Sequence, residues 1–279
     1  MQSIQARAGE WLMFHAAGVS DDAGAVVALI GPSGTGKSTA ARTLCRDDFG
    51  YVTDETVAVQ PDGTIVPFPK PLAVIPAGGG VKLELGPDEL GLGTCPPALR
   101  LSGLVLLERQ EGLTAPAVER LGLLEGIVAM VSDMSALPHV PSALARVATL
   151  ADQCGGLHRI VYGDAGQLSV LVRQVLEVGP VRSAIVQHPS CTVADRPGLV
   201  RAEHHDAIEL DTEVLILQGS TCVLTRGIGA LAWLAAVQPL SFDEVVEAVV
   251  GAAGDHPEAE RLVRAAVDDL VAQGVLVSR

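Results

Sequence analysis

The sequence predicts an α/β fold, with a larger domain on a central sheet followed by a small α+β domain. Three observations carry this expectation. Residues 25–30, AVVALI, form a short apolar run bounded by Gly24 and Gly31, the pattern of a strand covered on both faces. Helix and strand signals then alternate to about residue 180. From residue 208 the pattern changes to three short strands followed by helices.

Taken in order, KSTAARTLCR at 37–46 predicts a helix and YVTDETVAV at 51–59 a second strand interrupted by polar groups. Pro61-Asp62-Gly63 is a turn, and TIVPF after it a short extended piece. Pro67, Pro69 and Pro71, then AGGG at 77–80, predict an irregular stretch. LSGLVLLE at 101–108 predicts a buried strand. The interval 119–154 predicts helix broken at Pro138 and Pro141, HRIVYGD at 158–164 a strand, and 165–179 an amphipathic helix stopping at Gly179-Pro180.

Residues 1–185 thus form one expected domain, 186–207 a linker and 208–279 a second domain. In the last, AIELD, EVLILQ and TCVLT predict a small meander turning at Gly219-Ser220. GIGALAWLAAV predicts a helix. Ser241 and Glu244 form a capping box before the next, with Leu240 and Val245 as its hydrophobic staple. A last helix over about 257–272, with Leu262, Ala266, Leu270 and Val271 on one face, stops at Gly274, and VLVS closes the chain as a strand.

Composition excludes several classes. The 279 residues carry 19 basic and 33 acidic side chains, a net charge of −14. That disfavours a nucleic-acid binder or a polybasic membrane anchor. The 48% apolar content excludes a disordered chain. Five scattered cysteines (Cys45, Cys95, Cys154, Cys191, Cys222) match no zinc or disulfide spacing and predict reduced thiols. The N-terminus lacks the apolar core of a signal peptide, and no apolar run approaches the ~20 residues of a membrane span, so a cytoplasmic location is expected.

The strongest motif is Gly31-Pro32-Ser33-Gly34-Thr35-Gly36-Lys37-Ser38, a full G-x-x-x-x-G-K-[ST] between a predicted strand and helix. Its glycines let successive N–H groups turn toward phosphate oxygens, and the helix N-terminus adds positive potential. Lys37 can reach β- and γ-phosphates and the Ser38 hydroxyl can ligate magnesium, with Thr39 next in the same helix. The loop predicts nucleotide binding without specifying the reaction. Asp54 and Glu55 narrow it. Adjacent carboxylates in an apolar run are costly unless they meet metal or solvent. One could deprotonate or orient a nucleophile while the other holds magnesium through water, or both could be solvated at a strand end. His15, upstream of the loop strand, is a third candidate.

FHAAG, IGPSGTGKST and VTDE, in this order and spacing, resemble the HPr kinase/phosphorylase family and its HPr-kinase-like relatives. The resemblance implies an HPr-kinase-like P-loop domain in which Asp54 is the catalytic acid–base residue, Glu55 stands for the family's second Asp, His15 is the active-site histidine and Ser38 a magnesium ligand. The family's further metal-binding Glu implies Glu89, in Asp88-Glu89-Leu90-Gly91-Leu92-Gly93, or its rival Glu84 in KLEL. Hexamers in that family make a homo-oligomer an expectation. The strand pair EVLILQ–TCVLT, the Gly227–Trp233 helix, S-x-x-E and LVAQGVLV resemble a PqqD-like winged-helix domain, a RiPP recognition element that binds a leader peptide as an added strand.

Together the two resemblances imply an ATP- and Mg²⁺-dependent kinase. It would phosphorylate a Ser or Thr hydroxyl of a ribosomally made precursor peptide, as in lasso-peptide precursor kinases. Alternatives from other classes are a nucleotide-gated peptide-binding or chaperone protein without transfer chemistry, and a small-molecule kinase.

Overall fold

The computed structural model describes residues 6–74, 81, 83–190 and 197–279; the AGGG stretch at 77–80 and Cys191 lie outside them. The chain divides into two compact units, Met1–Val140 with Val147–Arg182, and Pro141–Arg146 with Ser183–Arg279.

In chain order, β1 (Leu12–Phe14), β2 (Ala16–Ser20) and β3 (Ala25–Ile30) lead to α1 (Lys37–Leu44). Next come β4 (Gly50–Thr53), β5 (Val57–Val59), β6 (Ile65–Val66), β7 (Leu72–Val74), β8 (Leu83–Leu85) and β9 (Gly93–Thr94). Then follow β10 (Arg100–Arg109), β11 (Ala117–Leu121), α2 (Leu123–Val131), β12 (Met134–Ser135), α3 (Ala143–Gln153), β13 (Leu157–Tyr162) and α4 (Leu168–Leu176).

The first unit is built on a seven-stranded mixed sheet of order β11-β13-β10-β3-β2-β4-β9. Strand β3 lies at its centre, parallel to β10 with Ile30 opposite Leu106, and antiparallel to β2. Both faces of β3 are covered, which accounts for its unbroken apolar run. Alternate residues such as Val27, Leu29, Val105, Leu107, Ile160 and Tyr162 form one core with α1 and α4. Ala40, Ala41 and Leu44 of α1, and Leu168, Leu171, Val172 and Val175 of α4, supply the helical side at i, i+3, i+4 spacing.

Two expectations change here. The 51–59 segment is not one strand, because β4 ends at Thr53 and β5 joins a separate four-stranded sheet, β12-β1-β5-β6. The break falls on Asp54-Glu55-Thr56, where two carboxylates leave the ladder rather than enter an apolar sheet. The 119–154 interval is not all helix either: β11 pairs antiparallel with β13, with Val118 opposite Ile160, and α2 begins only after Gly122. As an edge strand with mostly exposed or half-exposed side chains, β11 has no strong period of its own.

In the second unit, β14 (Val186–Pro189), β16 (Asp206–Leu210), β17 (Glu213–Gln218) and β18 (Thr221–Arg226) form a sheet in the order β14-β16-β17-β18. Strand β15 (Leu199–Arg201) pairs with β19 (Leu276–Ser278). The segment 186–207, expected as a linker, therefore carries two strands and the start of a third. Pro189 sits at the end of an edge strand, a place where a sheet tolerates proline.

Helices α5 (Gly227–Ala235), α6 (Phe242–Ala253) and α7 (Ala259–Ala272) enclose Trp233, which is fully buried. The Arg201 guanidinium lies 3.7 Å from the Trp233 ring centroid and donates to the carbonyls of Trp233 and Leu234 at 2.8 and 2.9 Å. The Ser241–Glu244 capping box is present, and Leu240 and Val245 both join the core. The inward face of α7 is Val263, Val267 and Leu270: the expected Leu270 is buried, Leu262 and Ala266 are half-buried, and Val271 is exposed. No helix among the described residues is long and apolar enough to cross a membrane. Cys45, Cys95, Cys154 and Cys222 are free thiols, and burial pushes Cys45, Cys154 and Cys222 up to about 12.

Candidate functional site

Strand β3 delivers the chain into the Gly31–Ser38 loop, and α1 leaves it. Gly34 and Gly36 take φ of 90° and 91°, the left-handed region that glycine enters without strain. The loop is braced from outside by the Tyr162 hydroxyl at the end of β13, which donates to the Thr35 carbonyl at 3.0 Å. Inside it, Thr35 Oγ1 donates to the Pro32 carbonyl at 2.7 Å. The Lys37 ammonium folds back on the loop and donates to the carbonyls of Gly31 and, at 3.2 Å, Pro32. Burial lowers its pKa, opposed by the charges of Asp133 and then Asp54.

The break between β4 and β5 turns Asp54 and Glu55 toward this loop. Burial raises the Asp54 pKa, against a hydrogen bond from Ser38 and the charges of Lys37, Lys70 and His15. Its Oδ1 is buried without a hydrogen-bond partner. Glu55 behaves differently: its Oε2 lies 2.6 Å from Lys70 Nζ. His15 sits not within a strand but in the step between β1 and β2, exposed, its N–H donating to the Asp133 carbonyl at 2.6 Å.

One cavity of about 570 Å³ collects these groups. Its walls include Ser33, Gly34, Gly36, Lys37, Ser38 and Thr39 from the loop and helix. His15, Asp54, Glu55 and Glu84 line it as well. Gly31 contributes its carbonyl to Lys37, and Thr35 lines a second cavity of about 420 Å³ on another side of the loop, with Ser33, Gly34, Arg109 and Glu111. Glu89 is not brought into the main cavity. Its carboxylate closes a turn by accepting from the Gly86 N–H at 2.6 Å. Of the two rival glutamates, only Glu84, on β8, lines the cavity.

Sequence reading missed Arg42, Lys70 and Asp133. Arg42 stands four residues after Ser38 on α1, hence on the same helix face, and its Nε is buried without a partner. That spacing was a usable signal. Lys70 arrives from a proline-rich segment read only as irregular, and nothing in the sequence ties Asp133 to Lys37.

No cluster of three or more His, Cys, Asp or Glu side chains positioned for a metal occurs among the described residues. The Ser38 hydroxyl and the Glu84 carboxylate, which both line the cavity, are hard oxygen donors. They suit a hydrated Mg²⁺ that keeps several waters and leans on phosphate oxygens, rather than a metal caged by protein. No protein-family model matches this chain, and no curated protein matches it.

Proposed function

We propose that the chain is an ATP-dependent kinase acting on a Ser or Thr hydroxyl of a ribosomally made precursor peptide. The observation that carries this reading is the meeting, in one cavity, of a complete phosphate loop and a carboxylate whose pKa is raised by burial. The loop N–H groups and Lys37 would hold the β- and γ-phosphates, and Ser38 with Glu84 would take the magnesium, which when bound would offset phosphate charge. Asp54 accepts the proton of the acceptor hydroxyl as its oxygen bonds to the γ-phosphorus and the bond to the β-phosphate oxygen breaks, releasing ADP. A raised pKa makes Asp54 a better proton acceptor than an ordinary carboxylate, provided it is ionised at working pH.

The peptide reading draws its support from the second unit. Strand β14 covers the outer edge of β16, while β18 pairs only with β17 among the described strands. A free edge is a template for an added strand, with main-chain bonds giving affinity and side-chain pockets specificity. The test is transfer of label from γ-labelled ATP to a candidate precursor by the full chain. Labelled peptide supports the kinase. Peptide binding gated by ATP without label would favour a nucleotide-dependent chaperone, and label on small molecules alone a small-molecule kinase.

A further inference from the structure

We propose that Lys70 is a second phosphate-binding cation of this site, contacting the terminal phosphate of the nucleotide, and that Glu55 is its positioning residue. The proposal rests on the nucleotide-binding reading of the Gly31–Ser38 loop.

The backbone around Lys70 has little freedom. Pro69 and Pro71 flank it, each with a fixed φ. Its carbonyl accepts the Tyr51 hydroxyl at 2.9 Å, and the Phe68 N–H donates to the Val52 carbonyl at 3.2 Å. Both anchors belong to β4, the strand that presents Asp54 and Glu55. The side chain therefore starts from a defined point and lines the same cavity as Lys37 and Ser38. Its charge is felt at Asp54, which in turn bonds to Ser38.

A triphosphate terminus carries roughly two negative charges at neutral pH by analogy with other phosphate groups, more than Lys37 of the loop offsets by itself; Arg42 on α1 also lines the cavity. Sites that transfer phosphoryl groups add a further cation for the charge on the equatorial oxygens. Lys70 is suited to this. An ammonium has three donors, and Glu55 is its one hydrogen-bond partner among the described side chains. The pair is 39% and 27% exposed, a setting in which an ion pair adds little to folding. Its value lies instead in holding the ammonium at the cavity wall. A lysine stem left unpaired would sweep many rotamers, so Glu55 lowers the ordering cost of the phosphate contact.

The experiment measures the affinity of the full chain for a non-hydrolysable imido analogue of ATP and for ADP, each with Mg²⁺. Wild type is compared with Lys70→Met, Lys70→Arg and Glu55→Gln. Lys70→Met should weaken the triphosphate analogue about 10- to 100-fold, the usual worth of one charge-assisted contact, and leave ADP within about twofold. Lys70→Arg should recover most of the loss. Glu55→Gln should weaken the triphosphate by less than Lys70→Met, again sparing ADP. Equal weakening of both ligands by Lys70→Met, with Lys70→Arg no better, would reveal a structural role and overturn the proposal. Unchanged affinity for both would do the same. A wild-type chain that binds neither nucleotide would instead refute the loop reading, and this proposal with it.

Discussion

Asp54→Asn separates the chemistry of the site from its assembly. Asparagine keeps the shape of the side chain and can still accept from Ser38, so nucleotide affinity should change little. The substitution removes the ability to take a proton. Loss of a positioned general base lowers turnover ~10²–10⁴-fold, which at 1.36 kcal/mol per decade is about 2.7–5.4 kcal/mol of transition-state stabilisation. The pH profile adds a second reading. Because burial raises the Asp54 pKa, the acid limb of wild-type turnover should lie above the ordinary carboxylate range, with activity falling as pH drops through it. That limb should be absent from the residual activity of Asp54→Asn. The assay is label transfer from γ-labelled ATP to peptide across pH, beside equilibrium binding of ATP. Turnover within a few-fold of wild type, or an unchanged acid limb in the variant, would refute the assignment.

Stability should show the same group from the other side. A carboxyl with a raised folded pKa binds its proton more readily when folded, so its contribution favours the fold below the unfolded value and is lost as pH rises through the raised one. The wild type minus Asp54→Asn difference in denaturant midpoint should therefore fall with rising pH across that window; a flat difference would contradict it. Gly36→Ala should cost about 1–2 kcal/mol from left-handed backbone strain, and its Cβ would sit 3.2 Å from the Tyr162 hydroxyl, so ATP binding should fail before the fold does. Arg201→Ala should destabilise the second unit by about 2–4 kcal/mol, through loss of the Trp233 stack and two charge-assisted bonds, read by denaturation followed through tryptophan fluorescence. Ser241→Ala should cost about 1 kcal/mol, the usual worth of an N-cap, seen as a lower thermal midpoint.

Local chemistry was legible along the chain. AVVALI marked a covered strand because its apolar run needs no partner to identify it. The Gly31–Ser38 loop was legible because left-handed backbone demands glycine at Gly34 and Gly36, and the box at Ser241 because both partners lie within one turn. Lys37, Ser38 and Asp54 line one cavity. Other features had no local mark. The 186–207 segment carries proline and glycine and reads as a connection, yet β14 and β15 take their hydrogen bonds from β16 and β19, so a cut at 208 would fall inside β16.

The Gly31–Ser38 loop, the carboxylate pair and the separate C-terminal pattern could be read along the chain, since each depends on residues within a few positions. Tertiary structure alone set Glu84 apart from Glu89: the first lines the cavity and the second closes its own turn. It likewise divided Asp54 from Glu55. Adjacent in sequence, they differ in surroundings: Asp54 is desolvated beside Ser38, while Glu55 is matched to a lysine fifteen residues away. The character of an ionisable group is set by what the fold packs against it, and neighbours brought in from distant segments leave no periodicity in the chain.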